Sequence, residues 1–338
     1  MSERYLDAAD LLSALHQAQS ELAGGGIEGT RHTWHFPAGE FQLPFGLVFG
    51  RAGHALVWSG PETRLVFRTE ERGRKLALSL TGHQVVLEGL SLEAACVEEL
   101  QVLRIEAVER ILLQDVELAG LEADRVVGVS ARAPHIEVLD CGLERLLAGA
   151  SATGLELRAG ESLRFERVHV RELRASELLA FDAGAPELTA RDIRIKGLSA
   201  SESSLGLRAQ AGRRAQLSDI ALGELRARRV RGILLDAPDG EVQGVSSEGL
   251  DGDEETEPLV LGPDTHVSLG GLAVVRHFKA DALEEQLSAA AGELNEAVSG
   301  SEYTWVLPAG DYDFDHGWAL GADGVSLRLL GPRGGGSA

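Results

Sequence analysis

Two cysteines among 338 residues leave no disulfide framework to build a fold on. Lysine is rarer than its usual share, with only Lys75, Lys196 and Lys279 present, so arginine carries nearly all the positive charge. Aromatic residues make up 5% of the chain, which suits a thin aliphatic interior better than a wide aromatic core. No apolar run reaches the roughly 18 residues that a membrane-spanning helix needs. The N-terminal MSERYLDAADLL lacks the basic-then-apolar plan of a signal peptide, so synthesis in the cytoplasm is the default, for a chain that could equally belong to an exported or particle-borne assembly. Basic residues are outnumbered 32 to 53 by acidic ones, giving a net charge of −21. That balance excludes a nucleic-acid backbone as partner and disfavours a membrane surface, because both require a basic face. GxGxxG, P-loop, nucleophile-elbow and Cys–His patterns are all missing. None of the ten histidines forms an HxH or HxxxH pair, and local spacing therefore predicts no metal site.

What the chain does have is repetition. An apolar residue, two spacers and apolar–x–apolar recur eight times, as LEGLSL, LQDVEL, VLDCGL, FERVHV, ARDIRI, LSDIAL, VQGVSS and LGGLAV. The middle apolar position falls on Leu90, Val116, Cys141, Val168, Ile193, Ile220, Val245 and Leu272, a step that alternates between 25 and 27 residues. Self-similarity at this period marks a solenoid. Alternating apolar residues, as in Leu155-Glu156-Leu157 or Ile193-Arg194-Ile195, give strand rather than helix periodicity, so each repeat is one coil of strands. Leu121, Leu146, Leu173, Leu198, Leu225 and Leu250 recur in step, followed two residues later by Ala123, Ala148, Ala175, Ala200, Ala227 and Gly252. Gly89, Asp115, Asp140, Arg167, Asp192, Asp219, Gly244 and Gly271 precede the middle apolar residue, and Gly and Asp tolerate left-handed backbone, which predicts a sharp turn there. Coils of this kind stack in parallel at about 4.8 Å.

A helix-like stretch, DAADLLSALHQAQSELAGG, precedes the strand WHFPAGEFQL and the segments GLVF and LVWSGP. In this order the chain resembles the right-handed parallel β-helix proteins of the pectin-lyase-like superfamily, whose pectate-lyase-like and tailspike-like members open in the same way. The resemblance implies an all-β solenoid, a single-stranded right-handed parallel β-helix with an N-terminal capping helix. It does not assign an activity, since one fold hosts many functions. A Ca²⁺-binding acidic cluster with a basic partner, or closely grouped aspartates, would be implied by the enzymatic branches of that superfamily, and neither pattern stands in this sequence.

A longer repeat lies across the chain. Residues 33 to 61 align without a gap on residues 304 to 332, and ADLLSALHQAQSEL is echoed by ADALEEQLSAAAGEL. The expected organisation is a cap helix and opening strands over 1–61, a parallel β-helix over 62–278, and over 279–338 either the start of a second module, copied from 10–61, or a C-terminal cap. About nine coils are expected between Leu56 and Val275, with 281–295 helical and 303–330 folded like 32–59.

Chemistry-bearing residues are few. Aligning the strands before each turn places Glu106, Ser130, Arg158, Asp182, Arg208 and Asp236 in one file, four successive rungs alternating Arg and Asp. Stacked one rung apart, these side chains form ion pairs, a charge ladder that pins register. Asp182 and Asp236 flanking Arg208 are also the candidate catalytic residues of an enzyme reading, and Arg158, Asp182, Arg208 and Asp236 the candidate ligand-binding set. An arginine between the two carboxylates holds both ionised and makes either a poor general acid. The acidic run DGDEETE (251–257) reads as a loop and is the one segment with an attraction for Ca²⁺; no other cofactor is expected. RARRVR (226–231) reads as a turn whose charge balances that loop. Cys141 occupies the buried column and His169 points outward from its strand.

Three functions follow, in order. First is a non-catalytic structural or recognition module, repeated in tandem in a rod, fibre, spike or adhesin-like assembly, binding a protein or a glycan along one face. Second is a polysaccharide lyase or glycoside hydrolase. Third is a partner-binding domain of an intracellular multidomain protein. A longer tandem chain or a homo-oligomer fits the first.

Overall fold

The computed structural model describes residues 1–24, 29–262, 265, 267–270, 272–277, 283–295, 301–308 and 324–330. Strand β1 (Ser2–Tyr5) and helix α1 (Leu11–Ala23) lead into β2 (Arg31–His35), β3 (Gly39–Leu43), β4 (Leu47–Gly50), β5 (Ala55–Arg68) and β6 (Arg74–Ala95). The coils continue as β7 (Glu99–Gln114), β8 (Glu117–Leu139), the long winding β9 (Gly142–Asp236), β10 (Asp239–Gln243), β11 (Ser246–Leu261), β12 (Val267–Gly270) and β13 (Leu272–His277). Helix α2 (Leu283–Asn295), β14 (Ser301–Val306) and β15 (Ser326–Leu330) close the described chain. All fifteen strands share one sheet, and every pairing between successive turns is parallel. The protein is an all-β parallel solenoid of about 11 turns. Its opening strands and β14–β15 belong to the same sheet as the coils, which accounts for turns beyond the nine that the central repeats predict.

The repeat columns become the core. Leu90, Val116, Cys141, Val168, Ile193, Ile220 and Val245 are all buried, as are Leu121, Leu146, Leu173, Leu198 and Leu225. Apolar side chains one rung apart stack on like neighbours down the axis, so each coil buries its face only because the next coil covers it. Cys141 behaves as one of these small hydrophobes; burial pushes its thiol up to about 12, and the S–H donates to the Leu139 carbonyl at 3.2 Å.

Corners make that stacking repeat. The residues before the middle apolar column have φ of 70° at Gly89, 51° at Asp115, 55° at Asp140, 53° at Arg167, 50° at Asp192, 55° at Asp219 and 61° at Gly244. All lie in the left-handed region, as the Gly and Asp content predicts. A second left-handed column escaped the sequence reading. It contains Gly120, Arg145, Glu172, Gly197, Glu224 and Gly249, each just before the leucine column, with φ between 54° and 73°. Half of that column is glycine, a visible signal, but Arg and Glu hide the rest. A short strand therefore runs between two left-handed corners in every turn, pointing alternate side chains in and out.

The alternating step also finds a cause. At Gly128, Gly154, Ala180, Gly206, Gly232 and Pro258 the period is 26 residues throughout, and these glycines lie where a Cβ would meet the next rung's carbonyl oxygen. Irregularities in register at Ala123/Arg125 and Ala133/His135 absorb the odd residue of alternate turns. Steps of 25 and 27 are thus one 26-residue coil with its slack placed at different corners.

Helix α1 covers the first turn. Asp10 caps it, accepting from the Ser13 amide at 3.1 Å, and Leu11, Leu15, Ala18 and Leu22 bury one face. The Gln19 amide exchanges two hydrogen bonds with the backbone of Gly50, tying the helix to β4. Beneath it Trp34, Phe36, Phe49 and Trp58 pack with ring centroids 4.8–5.8 Å apart. Trp58, unconstrained in sequence, is fully buried there.

The copied segment repeats the first one's geometry. Arg31 pairs with Ala55 and Trp34 with Trp58 across β2 and β5; 271 residues on, Glu302 pairs with Ser326 and Trp305 with Leu329 across β14 and β15. Helix α2 falls within the predicted 281–295. Residues 309–323, which carry Trp318 and much of the second copy, lie outside the described residues.

Two substitutions test this register. Ile220→Lys places a charge in a fully buried column and is expected to lower stability by about 3 kcal/mol or more, whereas Ala221→Lys, facing outward, should change it by under about 0.5 kcal/mol; chemical denaturation followed by far-UV circular dichroism distinguishes them. At the second corner, Glu172→Gly relieves a left-handed side chain with no ion pair of its own and should raise stability by about 1 kcal/mol.

Candidate functional site

Constant 26-residue spacing re-sorts the charge ladder. Ser130 stands opposite Glu156, and Arg132 opposite Arg158, so Arg158 does not share a file with Ser130. With Ala180 and Gly206 in one column, Asp182 and Arg208 fall together in the Ser130–Glu156 file, while Arg158, Gly184 and Asp236 occupy the file two residues along. The expected single file is therefore two neighbouring outward files. A 24- or 28-residue step had been assigned where the backbone keeps 26, because a repeating Ala after each charged residue mimicked a column.

Three of the four residues nevertheless meet. Arg158 Nη2 donates to Asp182 Oδ2 at 2.6 Å and its Nη1 to the Asp182 carbonyl at 2.9 Å. Arg208 Nη1 lies 3.8 Å from the same carboxylate oxygen. Glycine explains the reach: Gly184, in the file of Arg158, leaves open the space across which that side chain leans, its Cδ lying 3.3 Å from where a Cβ would stand. Asp182 is only 8% exposed, and its Oδ1 is buried without a hydrogen-bond partner. Asp236 is not part of this cluster and makes no ion pair among the described residues.

Another carboxylate is held in the same manner. Glu93, buried on its turn, accepts from both Arg64 and Arg68. Burial pushes its carboxyl up, and the two guanidiniums outweigh that and bring it below the ordinary glutamate range.

Beside Arg208 an open groove crosses several rungs. It has a volume of about 340 Å³, and its polar lining includes Ser151, Thr153, Glu177, Ser203, Arg208, Arg229, Arg231 and Glu255. Its arginines differ in what they have left to offer. Arg231 is committed, donating to Glu255 at 2.7 Å and to Glu257 at 3.0 Å. Arg208 is held loosely by Asp182. Arg229 is exposed and makes no ion pair among the described residues.

Across this region the two charged runs prove to be strands, correcting their reading as a turn and a loop. Asp251 pairs with Arg226, Glu255 with Arg229 and Glu257 with Arg231 in register, with a bulge between Gly252 and Glu255. Arg228 bridges Glu202 at 3.3 Å and also reaches Glu254. Acidic side chains of the run are thus stacked against arginines of the previous rung, as charge balance predicts, and Val230 and Thr256 turn inward. Glu255 is drawn below the ordinary range by its hydrogen bonds to Glu257 and Arg231, while burial and the same Glu255 contact raise Glu257.

No protein-family model, curated protein or solved structure matches this chain.

Removing one arm of the Asp182 clamp separates its two arginines. Arg158→Ala leaves a buried carboxylate without its short bonds and is expected to cost about 2 kcal/mol, against about 1 kcal/mol or less for Arg208→Ala, whose contact is longer; urea denaturation midpoints of the two variants check the order.

Proposed function

We propose that this chain is a non-catalytic recognition module, a pectin-lyase-like solenoid used as a rigid rod, whose lateral groove binds a glycan bearing acidic sugars. The observation that carries the reading is the groove itself, where an unpaired guanidinium at Arg229 and a loosely held one at Arg208 stand among the hydroxyls of Ser151, Thr153 and Ser203. A planar guanidinium suits a sugar carboxylate, and hydroxyls and carboxylates suit sugar hydroxyls. Openness along the rungs fits an extended chain better than a small enclosed substrate. Clamping of Asp182 supports the non-catalytic side, because a carboxylate bonded to two arginines is a weak proton donor. The direct pairing of β13 with β14, where the copied segment begins, supports a tandem rod, since the sheet runs from one module's last turn into the next module's first strand.

Calorimetric titration with oligogalacturonate, alginate and neutral glucan oligosaccharides tests this. Saturable binding of an acidic oligosaccharide, weakened roughly tenfold by Arg229→Ala, is the expected result, a loss of about 1.4 kcal/mol. Release of reducing or unsaturated ends from any of these substrates, abolished by Asp182→Asn or Asp236→Asn, would establish the polysaccharide lyase or hydrolase reading instead.

A further inference from the structure

On the short strand between the two left-handed corners, three successive turns bring Glu117, Gly142 and His169 into one outward file. Glu117 pairs with Gly142 in the ladder, and the Gly142 and His169 amides donate to the carbonyls of Val116 and Cys141 at 3.0 Å each. Glu144 stands two residues along from Gly142 on the same outward face. Residues two rungs apart normally have a side chain between them, with backbones about 9–10 Å apart. Here glycine removes it. A Cβ on Gly142 would collide with Glu117 Oε2 and stand 2.6 Å from His169 Nε2, so both side chains fold into the space that the glycine leaves.

The groups converge without bonding. His169 Nε2 lies 3.8 Å from Glu117 Oε2 and 3.6 Å from Glu144 Oε1, and one donor atom from each residue falls within 4.8 Å of the others. Those separations are too long for hydrogen bonds. They are close to the ~3.4 Å between two ligands of a tetrahedral ion with bonds of about 2.1 Å. Glu117 Oε1 is buried and has no hydrogen-bond partner. Burial first, and then the charge of Glu144, lifts the Glu117 carboxyl to about 7, the mark of two carboxylates brought together against their repulsion. Cationic side chains nearby do not neutralise the pair: Arg171 touches only Glu144, at 3.7 Å, and Arg145 acts on Glu117 at longer range.

We infer that Glu117, Glu144 and His169, gathered over Gly142, form a binding site for a divalent first-row transition metal ion of the Zn²⁺ class. An imidazole with two carboxylates selects such an ion over Ca²⁺, which takes six to eight oxygen ligands. Three protein ligands on an outward face leave further coordination positions to solvent or to a partner's donor group. The site is independent of the groove, and its presence or absence leaves the glycan reading untouched.

Chelator-treated full-length chain titrated with Zn²⁺ by calorimetry, and with Co²⁺ by visible absorption, gives the test. One equivalent of Zn²⁺ should bind, and Glu117→Gln and His169→Gln should each weaken it roughly tenfold or more with the circular dichroism unchanged. Gly142→Ala is the sharper variant. Its methyl meets only the ends of two flexible side chains, so the coil should fold as before while the ligands are pushed apart and the affinity falls to a similar degree. Failure of the wild-type chain to bind Zn²⁺ or Co²⁺ overturns the proposal. So does binding that survives both Glu117→Gln and His169→Gln, which would place the ion elsewhere, for instance at the His32–His54 pair, whose ring nitrogens are 3.3 Å apart. Stoichiometric Ca²⁺ binding without Zn²⁺ binding overturns the assignment of ion class.

Discussion

Parallel hydrogen bonding between rungs requires each coil to leave and rejoin the same path as its neighbours, and every other feature of the molecule follows from meeting that condition. A coil that turned one residue early would reverse the facing of the strand that follows. Left-handed residues at two fixed columns set the corners, and where sequence does not supply glycine the chain accepts Asp, Glu or Arg there at about 1–2 kcal/mol each. Arg167 shows how such strain is offset: its guanidinium, brought outward by the corner, donates to both oxygens of Asp140 one turn before. Alternate coils differ in where they place a single extra residue, yet the glycine column holds its 26-residue step from Gly128 to Gly232.

Stacking creates an electrostatic problem on the outside of an acidic rod. Residues one rung apart lie about 4.8 Å from one another, so like charges in a file repel. Arginine answers it repeatedly, with Arg228 lying between Glu202 and Glu254, Arg231 facing Glu255 and Glu257, and two arginines each on Asp182 and Glu93. Its forked, delocalised charge can serve carboxylates on two rungs at once, which the compact ammonium of lysine does less well, and this matches the scarcity of lysine in the chain. Where an arginine is left over, as at Arg229, the surface acquires something to recognise a ligand with.

Glycine in an outward file has the opposite use. A missing side chain opens a gap one rung wide, and neighbours above and below lean into it. Gly184 admits Arg158 on its way to Asp182, and Gly142 admits Glu117 and His169. Both clusters of interest on this molecule thus sit where uniform stacking is interrupted by an absent side chain rather than by an inserted loop. Regular coils and local chemistry are compatible for that reason.

The sequence by itself determined the solenoid, the facing of its apolar columns, the first set of corners, the capping helix and the echo of the first strands in the last. All of these are local patterns repeated at a period, and repetition makes a weak propensity legible by addition. Only the tertiary structure decided which outward residues are neighbours. Side chains on adjacent rungs are 25 to 27 residues apart, and a slip of two residues, invisible in alternating strands because it preserves facing, moved Arg158 and Asp236 out of the file of Asp182 and Arg208. For the same reason no short spacing motif could disclose Glu117, Glu144 and His169. Their contact depends on the corner that absorbs the extra residue and on a glycine whose importance lies in the two side chains that fill its place.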